Sequence, residues 1–67
     1  MRWQVEQRMK YISDMLAWRG WINRSDLINQ FRISVPQASV DLRNYKKLYP
    51  DAVYYNFKTK RYENDQL

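Results

Sequence analysis

The chain has 67 residues, no cysteine, no histidine and a formal net charge of +5. Without thiols or imidazoles it has no disulfide framework, no zinc site of the usual ligands and no histidine- or cysteine-based catalysis. No apolar run reaches membrane-spanning length and no signal peptide opens the chain, so a cytoplasmic, nucleoid-associated protein is expected. One small domain over residues 1–67 is expected, with three Trp, six Tyr and two Phe supplying core area that so short a chain otherwise lacks.

The first predicted helix covers residues 3–19. Val5, Met9, Ile12 and Leu16 repeat at the helical period and mark its inward face. Gly20 can take the left-handed conformation that ends a helix. Trp21 and Ile22 read as one brief strand. Asn23 is a good N-cap for a second helix running to about Phe31, with Asp26 at its third position, near the positive helix end. Arg32 and Ile33 make a tight turn.

The third helix, about residues 35–48, opens with clear local grammar. Ser34 and Gln37 have capping-box spacing, and Pro36 sits in the first turn, where its missing N–H costs nothing. Ala38, Leu42, Tyr45 and Tyr49 share a face that should pack inward. Pro36, Gln37, Val40, Arg43, Asn44 and Lys47 occupy the opposite face. Pro50 stops the helix. Residues 52–55 and 61–63 read as two strands joined by a loop at 56–60, a basic hairpin over about residues 53–63. Asn56 suits the turn, and residues 64–67 are expected to fray.

Two short helices joined by a tight turn, then a basic hairpin, form a winged helix-turn-helix. The expected class is mainly α with a small antiparallel sheet. The charge map agrees. Residues 43–61 hold six basic residues against Asp51 alone, while the rest of the chain balances six against six. The whole excess falls on the third helix and the hairpin, the footprint of a polyanion partner. Double-stranded DNA is therefore the expected partner.

Pro36, Gln37, Val40, Arg43 and Asn44 are the candidates for reading bases. Gln and Asn can pair twice with adenine and Arg with guanine, while Val40 and Pro36 can meet a thymine methyl. Gln37 has a second possible use as the return half of the capping box. Ser34, Ser39, Lys46, Lys47, Lys58, Lys60 and Arg61 are the phosphate candidates, which position rather than specify. The acids are scattered without metal-ligand spacing, and the serines have no histidine partner, so no catalytic site, cofactor, metal or small-molecule ligand is expected. Tyr11, Met15 and Trp18 form a second apolar stripe on the first helix. It reads either as core or as the contact of a weak homodimer.

The segments WRGWINRSDL, FRISVPQASVDLRNY and YPDAVYYNFKTKRY resemble, in that order, the N-terminal winged helix of WYL-domain transcriptional regulators. The nearest group is the one that controls bacterial phage-defence islands of the BREX and CBASS types. The resemblance covers about residues 3–63, and it implies operator binding as part of a dimeric repressor. Family members continue into a WYL sensor domain and a dimerisation domain, whereas this sequence stops at Leu67, as a stand-alone protein or an excised domain. The hairpin tip also differs, with Asn56, Phe57 and Lys58 where a more polar turn is expected. A sequence-specific repressor is the leading expectation. A DNA-binding adaptor of a phage or mobile element and a winged-helix protein-interaction module are the alternatives.

Overall fold

A computed structural model of the chain describes residues 2–64, with side chains from Trp3 onward. The elements run α1 (Arg2–Trp18), β1 (Trp21–Ile22), α2 (Arg24–Phe31), α3 (Val35–Leu48), β2 (Val53–Asn56) and β3 (Arg61–Asn64). This is the expected winged helix, three helices with a small antiparallel sheet. The strand order is β1-β3-β2, so the brief strand after α1 pairs with the far edge of the hairpin. Trp21 and Tyr54 both face Glu63, and Ile22 and Tyr55 both face Tyr62.

Each predicted cap has a physical counterpart. Gly20 adopts φ +87, and its N–H donates to the Met15 and Leu16 carbonyls, closing α1. Asn23 and Asp26 form a reciprocal capping box at α2, where the Asn23 side chain accepts from Asp26 N–H and the Asp26 carboxylate from Asn23 N–H. Arg32 ends α2 in the left-handed region at φ 56 and donates to the Ile28 carbonyl. That reversal lets α3 start with only Arg32, Ile33 and Ser34 between the two helices.

The core consists of Ile12, Leu16, Ile22, Leu27, Ala38, Leu42, Tyr45 and Val53. Full burial of each large member contributes roughly 1.5–3 kcal/mol. Ala38 lies fully buried on the α3 face toward the core, and its small side chain permits close helix crossing.

Several expectations need correction. Val5 is exposed, because the buried residues of α1 begin only at Arg8 and the first turns project past the core. Tyr49 is half exposed; it is the C-cap of α3, and its non-helical backbone takes it off the inward face. The stripe on α1 divides. Tyr11 and Met15 pack against the core, Tyr11 edge-on to Phe31, while Trp18 in the last turn is 79% exposed. Asn64 belongs to β3, where its N–H donates to the Gly20 carbonyl and its side chain to the Leu16 carbonyl. The other residues expected to fray, 65–67, lie outside the described ones.

Candidate nucleic-acid interface

The outer ridge of α3 is as the periodicity predicts. Ser34, Pro36, Val40, Arg43, Asn44, Lys46 and Lys47 are exposed, while Gln37 and Ser39 are half-buried. Ser34 caps the helix, its hydroxyl accepting from Gln37 N–H at 3.2 Å. The box is only half made. The Gln37 side chain turns forward instead and donates to Asp41 Oδ1 at 2.9 Å. An ionised carboxylate one helical turn away is a stronger acceptor partner than a neutral serine amide is a donor.

In the sequence Asp41 is one of the scattered acids, yet in the fold it is one of the most buried side chains. Arg8 of α1, also buried, donates to it through Nε at 2.6 Å and through a terminal guanidinium nitrogen at 3.4 Å. Ser13 and Tyr45 add a hydroxyl–hydroxyl bond of 2.7 Å between the same two helices. Together these polar ties fix α3 from behind while its front stays open.

In front, α3 and the hairpin enclose a cleft of about 380 Å³. Asn23 and Arg24 enter from the start of α2, Ser39, Leu42 and Arg43 from α3, and Tyr55, Lys60 and Tyr62 from the hairpin. Three cationic side chains thus converge on one opening. Arg24 is not evident as a site residue in the sequence, because it lies in the segment whose charges cancel overall. Its guanidinium donates to the Ser39 hydroxyl at 3.4 Å, which brings Ser39 to the cleft wall. Burial pushes the Tyr62 hydroxyl pKa up, and neighbouring Tyr55 adds to this; Arg43 and Arg24 pull it the other way.

The wing joins Asn56, expected in the turn, to Glu63, whose role the sequence does not reveal. Asn56 Oδ1 accepts from the N–H groups of Lys58 and Thr59, and Lys60 takes a left-handed φ of 61 to complete the turn. Glu63 gathers four donors: the Tyr54 hydroxyl, the Asn56 amide, the Thr59 hydroxyl and Arg61 Nε. Hydrogen bonds from Thr59, Tyr54 and Asn56 lower its pKa from 4.5 to about 2, against a smaller opposing effect of burial, with Arg61 contributing less. At the tip Phe57, Lys58, Thr59 and Lys60 are all exposed.

Arg61 is set apart from the other phosphate candidates. It pairs with Glu63 and stacks 4.3 Å from the Trp21 ring centre. Strand alternation puts it on the sheet face opposite Tyr55 and Tyr62, away from the cleft. Arg19 stacks on the same Trp21 ring at 3.6 Å and pairs with Asp26 at 2.5 Å. Among the described side chains, ion pairs engage Arg8, Lys10, Arg19 and Arg61. Arg24, Arg32, Arg43, Lys46, Lys47, Lys58 and Lys60 are in none of them.

Comparison with known proteins agrees with this geometry. Residues 4–67 match the family described as the BrxR transcriptional regulator winged helix-turn-helix domain. The chain is 47% identical over 66 residues to the DNA-binding transcriptional repressor CapW of Escherichia coli (strain KTE188), covering 98% of this chain and 22% of that protein. It is 44% identical over 61 residues to the repressor of the same name from Pseudomonas aeruginosa, covering 91% of this chain and 20% of that protein. A third, from Stenotrophomonas maltophilia, is 42% identical over 62 residues, covering 92% and 21%. The chain therefore spans about a fifth of the length of these curated relatives, and the resemblance read from its motifs holds at the level of family and fold. The chain belongs to the BrxR family of transcriptional-regulator winged helix-turn-helix domains.

Proposed function

We propose that this domain binds double-stranded DNA in a sequence-selective way and serves transcriptional repression, with α3 in the major groove and the wing against the adjacent backbone. One observation carries the reading: all but Arg32 of the described cations left outside ion pairs gather on α3, the start of α2 and the wing tip, around an exposed ridge of base-reading residue types. Arg43 and Asn44 are the proposed hydrogen-bonding readers, with Gln37 at the first turn and Pro36 and Val40 as apolar contacts. Ser34, Ser39, Lys46, Lys47, Lys58 and Lys60 are proposed to hold phosphates, joined by Arg24. Arg61 is proposed to brace the wing instead. The relatives named as DNA-binding repressors support the same reading. The role is read as one of binding rather than catalysis, in line with the relatives named as repressors.

Salt titration of duplex binding by fluorescence anisotropy tests it. Neutralising four to six phosphates gives a slope of log K against log salt of roughly −4 to −5. A slope near zero would end the proposal. One recognition helix and one wing read few base pairs, so two copies are expected on half-sites about one helical turn apart. Trp18, the exposed member of the α1 stripe, is the proposed contact between them. Sedimentation of wild type and Trp18→Glu with duplex checks this; full specificity at one chain per site would exclude pairing.

A further inference from the structure

Gln37 occupies the third position of α3, in the helical turn whose residues reach base edges in a helix-turn-helix. It is half-buried, and its amide meets Asp41 Oδ1 at 2.9 Å. An amide at a groove can present its oxygen or its nitrogen outward, and an isolated glutamine samples both. Here the choice is made by chemistry. Asp41 is a carboxylate locked against the Arg8 guanidinium, so it has only acceptors to offer. The Gln37 atom facing it must be the nitrogen. One N–H is committed inward, and the outward edge holds the carbonyl oxygen beside the second N–H. An acceptor next to a donor complements the N6 amino group and N7 of adenine and mismatches the two acceptors of guanine.

We propose that Asp41, held by Arg8, is a positioning residue that fixes the Gln37 amide as an adenine reader. The inference rests on the proposed entry of α3 into the major groove, and it assigns base preference to a buried ion pair that touches no DNA. Arg8 and Asp41 come from different helices, so the same pair sets both the placement of α3 and the orientation of one of its readers.

Asp41→Asn should reverse the orientation. Arg8 only donates, and its bond through Nε at 2.6 Å is far shorter than that of its terminal nitrogen at 3.4 Å, so the oxygen of the introduced amide is expected to take the position facing Nε. The nitrogen of that amide then faces Gln37, whose oxygen turns inward to accept. Two N–H donors now point outward, and they complement O6 and N7 of guanine.

The test is selection from a randomised duplex DNA pool, read by sequencing, with thermal melting as a check on folding. Wild type should favour adenine roughly tenfold or more at one position of its site. Gln37→Met should bring that position near parity and leave the others unchanged. Asp41→Asn should switch the same position from adenine to guanine. A second variant covers the case in which Asp41→Asn fails to fold. Arg8→Met/Asp41→Leu replaces the pair with apolar side chains, a change often tolerated or stabilising. By releasing the amide it should reduce the adenine preference severalfold at that position, more than the preference at any other. Retention of the wild-type preference in Asp41→Asn or in the apolar double variant, where Gln37→Met has lost it, would overturn the positioning role while leaving base reading intact. No position altered by Gln37→Met would remove Gln37 from base reading and the inference with it.

Discussion

The two sides of the sheet hold similar side chains in opposite circumstances. On the outer side Arg19 and Arg61 stack on Trp21, and Asp26 and Glu63 neutralise them. On the cleft side Arg24, Arg43 and Lys60 surround an opening whose wall, among the described residues, holds no carboxylate. A count of basic residues treats the two groups alike. The acids separate them: wherever an acid lies within reach, an arginine becomes architecture, and where none does, its charge remains available to a partner. Arg8 is the extreme case, a cation turned fully inward by Asp41.

The sharpest way to break this comparison is to take away an acid. Asp41→Ala would leave Arg8 buried without a partner and is expected to cost about 3–5 kcal/mol, measurable by urea denaturation. In so small a domain this approaches the whole stability. A loss below about 1 kcal/mol would mean that Arg8 escapes to water. Next in size is the contrast between arginines. Arg43→Ala should weaken binding to a selected duplex by about 1–3 kcal/mol and binding to random duplex much less, with little change in melting. Arg61→Ala should do the reverse, leaving the salt slope unchanged and lowering stability by no more than about 1 kcal/mol, because the pair is partly exposed. Equal effects of the two on DNA affinity would dissolve the distinction between the two sides.

Much of this is legible in the residues themselves. Gly20, Asn23 with Asp26, and Ser34 act through neighbours within a few positions, so their spacing announces three helix ends correctly. The outward face of α3 follows from its period. Arg8 with Asp41 does not, since the partners are 33 residues apart and an arginine in a helix reads as surface. Glu63 is equally opaque. Its four donors converge only once β2 and β3 pair in register. Trp18 shares the helical spacing of Tyr11 and Met15, and periodicity groups the three together. The helix ends at Trp18, beyond the packed core, so this ring alone of the stripe is left to solvent.

Two smaller effects sharpen the picture locally. Ser34→Ala removes the bond to Gln37 N–H and should cost about 1 kcal/mol in melting and denaturant experiments. Unchanged melting would mean that water replaces the cap without loss. Glu63 gives the wing a pH response. Its folded pKa of about 2 lies below its ordinary 4.5, so its contribution is complete above pH 4.5 and is lost as pH falls toward 2. Amide resonances of Lys58 and Thr59 followed by NMR should move in that window in wild type and stay still in Glu63→Gln. Movement in both would assign the transition to another carboxylate.

The pairing of β1 with β3 joins Trp21 to Glu63 and Ile22 to Tyr62, partners about forty residues apart along the chain. Every helix forms from near neighbours, whereas this ladder closes a loop that encloses α2, α3 and the β2 strand. Loop closure of that length is slow relative to helix formation. On this ground α3 is expected to form before the cleft does. A chain caught before closure would hold α3 while Lys60 stayed far from Arg24 and Arg43. Because Arg61 stacks on Trp21 across this ladder, the emission of that indole in a Trp3→Phe/Trp18→Phe background, followed by stopped-flow refolding, would time the closure.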